Sequence, residues 1–196
     1  MRFRALLLTG LMLTAACTAA CTTANGTADG TEKAAGPASP AAAPPGGLAN
    51  PRIMNCANRN ASFPEERDGP VTTGPDDLVV EPLIISGLRA WADADPTEHG
   101  RDGRYKVGVV LRAGKTATLS IPAEYREAAG LLYSEAAQQA HTPAEADHAI
   151  TFTACPDHDT PFPGYLFVPH RQRVPLVVRP EGGTATREVI SFFAGR

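Results

Sequence analysis

The stretch "CPDHD" sets Asp157, His158 and Asp159 side by side, three side chains of types that bind metal ions or move protons. Successive residues of an extended strand point to opposite faces, so the three converge only if the chain curls there. Pro156 just before them favours a turn, in which such residues simply face water. They are the weak metal candidates of the chain. "DADPTEHGRDGR", residues 93–104, alternates Asp93 and Asp95 and adds Glu98, a faint likeness to a calcium loop. It lacks the third Asp or Asn and the glycine of the EF-hand, and Pro96 interrupts it, so a solvated loop between strands is the simpler reading. "PHRQR", residues 169–173, offers Arg171 and Arg173 as candidate contacts to an anionic envelope polymer or protein partner, against the plainer reading of a soluble hairpin tip. No serine stands in a Gly-x-Ser-x-Gly setting and no Gly-rich phosphate loop is present. No catalytic residue and no cofactor is assigned. The formal net charge of −3 argues against nucleic acid as a partner.

The four cysteines fall into two kinds. Arg2 and Arg4 precede an apolar run, residues 5–13, and the tetrapeptide Thr-Ala-Ala-Cys then occurs twice, ending at Cys17 and Cys21. A basic n-region, a short apolar segment and a small-residue site form an export signal, and the run is far below the roughly 20 residues of a membrane-spanning helix. A site ending in cysteine is the bacterial lipobox pattern, so residues 1–16 read as a lipoprotein signal peptide. Cys17 abuts the apolar run and is the expected lipid acceptor; Cys21 is the alternative, and ordinary secretion without lipid is the third possibility. The expected location is the outer face of the cytoplasmic membrane, held there by the lipid. Residues 17–50 contain no large apolar side chain before Leu48 and are rich in Ala, Pro, Gly and Thr. Such a segment reads as a disordered tether with an average reach of about 30 Å. Asn25-Gly-Thr and Asn60-Ala-Ser match a glycosylation sequon by chance in a bacterial context. The remaining pair, Cys56 and Cys155, is most simply a disulfide in an exported protein. It should clip the N-terminal segment onto a strand end, and Trp91 lacks the antibody-type place between paired cysteines.

Residues 51–196 suit one domain. "YKVGVVLR" places Tyr105, Val107, Val109 and Leu111 on one face; "AGK" turns; "TATLSIP" alternates Ala117, Leu119 and Ile121. This predicts a hairpin with one buried and one wet face. "AITFTA", "VPLVVRP" and "REVISFF" continue the pattern, and "LVVEPLIISGL" reads as two strand pieces parted by Pro82. Residues 123–140 have helix-favouring Ala and Glu; within this region residues 131–133 are read as strand, followed by a loop with one helical turn at residues 142–145, where Thr142 and Glu145 resemble a capping box. The sum is an all-β, antiparallel, immunoglobulin-like β-sandwich of about seven to nine strands.

With "YKVGVVLRAGKTATLSIP", "ITFTACP", "FPGYLFV", "VPLVV" and "ISFFAG" laid out, the domain resembles a group of exported actinobacterial lipoproteins and secreted proteins. Members of that group carry a cysteine before the Val-Pro-Leu and another at the chain's end, where this chain has Arg173 and Arg196; their joint absence suggests that the two would have paired. The resemblance implies export and a β domain, and it transfers no activity. The expectation for function is a non-catalytic, membrane-anchored binding or interaction module, the alternative being a metal-binding or hydrolytic protein that uses the His158 region.

Overall fold

The computed structural model describes residues 43–59, 71–100 and 102–196. The signal peptide, Cys17, Cys21, both sequons' asparagines and the tether before residue 43 lie outside them.

The described domain is mostly β, as the alternation predicts, but in twelve short strands rather than seven to nine. Five of them form one sheet: β1 (Arg52–Asn55), β6 (Thr116–Ser120), β8 (Ala149–Thr153), β11 (Gln172–Pro180) and β12 (Thr186–Phe192), in the order β1-β8-β6-β11-β12. Four form a second, β2 (Leu78–Val80), β3 (Leu83–Ile85), β5 (Val109–Leu111) and β9 (Thr160–Phe162), in the order β2-β3-β5-β9. The third is β4 (Arg104–Lys106), β7 (Gly130–Leu132) and β10 (Tyr165–Phe167), in the order β4-β10-β7. The inner residues of all three share one core. Phe152 of the first sheet is its meeting point, with ring centroids 4.9 Å from Phe162 of the second and 5.4 Å from Tyr133 beyond β7.

Three departures from the sequence expectation have physical causes. The stretch predicted as one strand, "YKVGVVLR", is divided between two sheets. Val107 N–H donates to Gly164 O and Gly108 O accepts from Ser86 N–H, so the chain changes partners within two residues while Tyr105, Val107, Val109 and Leu111 stay buried. The expected hairpin across "AGK" does not form, because β5 has β3 and β9 on its edges and β6 has β8 and β11. The turn is a corner between sheets, fastened by Gly114 N–H to Cys155 O. Not every pair is antiparallel either: β1 runs parallel to β8, from Arg52 opposite Ile150 to Asn55 opposite Thr153. The Pro82 reading holds, with β2 and β3 pairing antiparallel about a cis Glu81–Pro82 bond.

The parallel pair explains the disulfide. Cys56 follows β1 directly and Cys155 lies two residues past β8, so register brings the two Cα atoms to 5.1 Å and the sulfurs bond. Closing a loop of 99 residues contributes on the order of 4 to 5 kcal/mol by chain entropy. As expected, the bond clips the N-terminal segment to a strand end.

Residues 44–50, assigned from composition to the tether, are bonded into the domain. Gly46 O accepts from His148 and Ala149, and Pro44 O accepts from Arg52 Nη2. Gly46 N–H donates to Asp147, which is fully buried. The Asp147 carboxylate also accepts from Arg52 Nε and Nη2 and, at 2.8 Å, from Ser134 Oγ. Ser134 in turn caps α1 (Glu135–Gln138), the one α-helical turn among the described residues, by accepting from Ala137 N–H. The helical turn expected at residues 142–145 is present as a 3-10 turn, Pro143–Glu145; its Thr142 makes no side-chain cap, whereas Glu145 accepts from His141 N–H. Removing the buried carboxylate leaves the Gly46 N–H and the Ser134 hydroxyl without their acceptor and strips Arg52 of its buried counter-charge. Asp147→Ala should therefore cost about 3 kcal/mol or more in urea unfolding, and Asp147→Asn, which keeps only part of the donor set matched, should fall between it and the native chain.

Candidate functional site

Two residues of alternation decide what the three-stranded sheet shows to solvent. Tyr105, Leu131 and Leu166 point into the core, so Arg104 and Lys106 of β4, Tyr165 and Phe167 of β10, and Gly130 and Leu132 of β7 lie on the other face. Register aligns them in two rows, Lys106–Tyr165–Leu132 and Arg104–Phe167–Gly130. The second row is covered. Phe167 and Leu132 pack with Ala137, Ala140 and Ala146 in a small secondary core beneath α1. Above Phe167, at 5.3 Å from its ring, lies the Arg104 guanidinium, whose Nη1 and Nη2 donate to Gln138 O and Ala140 O at the carboxyl end of α1. Arg104 Nε is buried without a partner among the described residues.

Over the first row a cleft of about 520 Å³ remains open, within the size range of small-ligand sites. Its lining comprises Lys106 and Tyr165 of the sheet with buried Leu132 beneath, Gln138 from α1, and Trp91, Glu98, His99 and Gly100 from the segments that precede β4. Trp91 belongs to the 3-10 helix Leu88–Ala92 and is held by ring contacts to Tyr105 at 5.0 Å, Phe193 at 6.1 Å and His99 at 6.0 Å. Gly100 sits at φ +100, and a Cβ there would stand 2.4 Å from the Tyr105 ring, so only glycine lets the wall approach the sheet this closely. Among the described residues the cleft thus combines ring surface with one carboxylate, one imidazole and two cations.

The segments marked out by the sequence behave differently. In "CPDHD", His158 Nδ1 meets Asp157 Oδ1 at 2.8 Å and its Nε2 lies 3.5 Å from Arg59 Nη1. Asp159 turns away from them. It accepts from Val71 N–H, Ala113 N–H and, at 2.7 Å, Arg112 Nη1, and Arg112 also pairs with Glu81. Among the described residues no group of three or more His, Cys, Asp or Glu is placed to hold a metal ion. In the 93–104 loop the acidic groups likewise diverge. Asp95 accepts from the Thr97 N–H and hydroxyl, which together hold its carboxyl below the usual range, while Asp93 pairs with Arg196. Arg171 and Arg173 are exposed and make no ion pair among the described residues. Two of these segments do meet: Val168 N–H donates to Gly103 O, a Cβ on Gly103 would stand 2.5 Å from Pro169 Cα, and Arg171 adds an attractive field at Asp95. The 169–173 segment therefore adjoins the loop that builds one wall of the cleft.

The sequence reading did not find the cleft. Its only local signals are the alternation that turns Arg104 and Lys106 outward and the presence of Trp91, the one tryptophan of the chain.

Asp159 gives a pH signature. Desolvation alone would raise its carboxyl, but the Val71 N–H, Arg112 and the Ala113 N–H outweigh that and hold it below the ordinary carboxylate range. A depressed folded-state pKa contributes stability that is present above the unfolded value, about 3.9, and is lost as pH falls through the folded one. Unfolding midpoints followed from pH 7 into this acid range should fall more steeply for the native chain than for Asp159→Asn, which should be the less stable of the two at neutral pH.

No protein-family model, curated protein or solved structure matches the chain.

Proposed function

We propose that the chain is a lipid-anchored extracytoplasmic module that binds a component of the cell envelope without catalysis. The anchor rests on the sequence: Arg2, Arg4, the apolar run and the small residues before Cys17 make a lipoprotein signal. The Cys56–Cys155 bond suits an oxidising compartment outside the cytoplasm. In this reading the sheets pack in an immunoglobulin-like sandwich about Phe152, and the tether carries the domain clear of the lipid so that its loops search the space near the membrane.

The observation that carries the binding half is the cleft over β4, β10 and β7. It exposes aromatic surface and charges of both signs, while three buried or half-buried acid-base side chains elsewhere serve the fold: Asp147 joins four segments, Asp159 fixes a sheet corner, and the His148 ring bonds to Arg126 O. The Asp157–His158 contact at 2.8 Å supports the second reading, a metal-binding or hydrolytic protein working through His158.

Fractionation tests the anchor. Cys17→Ser should release the protein from membranes or leave it unprocessed, and the same outcome from Cys21→Ser alone would move the lipid to the second motif. Affinity capture from the envelope with mass-spectrometric identification tests the rest. Replacing Arg171 and Arg173 together by Ala should weaken partner recovery, and His158→Ala should leave it intact. Stoichiometric metal in the purified protein, lost on His158→Ala, would establish the second reading instead.

A further inference from the structure

We infer that the cleft is a saccharide site and that its ligand carries a single carboxylate, as in a uronic-acid unit of an envelope glycan; this rests on the reading of the domain as a binding module. A sugar ring has an apolar face of C–H groups and a rim of hydroxyls, so it needs a ring platform with hydrogen-bonding side chains around it. Tyr165 supplies the platform: it is exposed at 37%, centred in its row, and flanked by Lys106 and Leu132 through the strand register. Trp91 stands at the wall, fixed by its packing against Tyr105 and Phe193, so little ordering is left to be done when a ligand arrives. Glu98 and Gln138 both line the cleft, and their carboxylate and amide can accept from and donate to hydroxyls.

The charges set the ligand's own. Arg104 lines the cleft, but each of its Nη atoms donates to a helix carbonyl and its Nε is buried, so the fork is turned toward the protein and lends the cleft positive field. Lys106 is the exposed cation of the floor, with His99 on the wall. One ammonium suits one carboxylate. A phosphate-rich ligand wants several convergent N–H groups or free guanidinium forks, and Glu98 across the cleft would repel a second negative charge. A nucleotide is therefore disfavoured despite the aromatic surface.

Trp91 is the chain's sole tryptophan, so its emission reports on this cleft alone. The detergent-solubilised full chain is titrated with a glucuronic acid–N-acetylglucosamine disaccharide, with its uncharged methyl ester, and with adenosine monophosphate. The acid disaccharide should give a saturable change in emission, the ester should bind about tenfold more weakly, and Lys106→Gln should bring the acid down to the ester's level. Tyr165→Ala should weaken both saccharides; Lys106 and Tyr165 are exposed, and matching far-UV spectra verify that the variants fold. An emission that does not respond, an acid-to-ester ratio unchanged by Lys106→Gln, or tighter binding of the nucleotide overturns the assignment. Cosedimentation with isolated envelope polymers separates the two readings. Native-level cosedimentation of Lys106→Gln and Tyr165→Ala would leave the binding module standing and remove the cleft as its site. A native chain that neither cosediments nor responds in emission would remove both.

Discussion

A buried carboxylate has to be surrounded by donors, and Asp147 satisfies that condition by drawing separate parts of the chain together. Its oxygens take the Gly46 N–H, the Arg52 guanidinium and the Ser134 hydroxyl, and its own carbonyl accepts from Leu131 N–H. The segment before β1, β1 itself, the cap of α1 and β7 are thereby fixed to one another. The consequence travels further. Four residues are too few for a helix to be stable alone, so α1 exists because Ser134 is held in place and because Ala137 is buried. The carboxyl end of α1 then holds Arg104 across Phe167, and the point where its cover stops, at Gln138, is where the cleft begins.

Period-2 alternation made the β character legible, since it survives in strands such as β4, β6, β8 and β9, whereas β3, β5 and β7 are buried at every position; the pairing of Cys56 with Cys155 followed from compartment and count. Which strands lie beside which was not legible. Tyr105, Val107, Val109 and Leu111 fall on one face in the sequence, yet Gly108 lets the chain pass from one sheet to another, and burial on the same side is compatible with both arrangements. The parallel β1–β8 pair was equally hidden, because four residues reading "RIMN" show only Met54 buried. The cleft was hidden for a related reason. Lys106, Leu132 and Tyr165 are far apart in sequence and adjacent only through antiparallel register, so no spacing rule could have gathered them.

The residues that stood out by type turned out to hold loops. Asp159 looked like a metal ligand beside His158, but two backbone N–H groups and Arg112 use its oxygens to set the corner between β5 and β6. Arg196 does similar work at the chain's end, reaching both Asp76 and Asp93. As exposed ion pairs these add little stability. Their effect is to fix where a loop goes, which matters in a domain of short strands joined by many connections.

The two walls of the cleft are consequently held by different physics. On the Trp91 side the restraint is packing. Phe193 has a left-handed backbone at φ 58, which turns its ring inward beside buried Phe192 where an extended residue would face out, and its N–H donates to Trp91 O. A bulky residue in that conformation costs on the order of 1 to 2 kcal/mol, offset by the Phe193 contacts to Trp91 and Tyr105. On the Gln138 side the restraint is a short helix whose position depends on the Ser134–Asp147 contact at one end, on Arg104 at the other, and on the small apolar cluster beneath it. A four-residue helix on a small cluster opens at lower free energy than the main core. Movement at the cleft therefore falls first to α1 and Gln138, with the Trp91 side the more firmly packed.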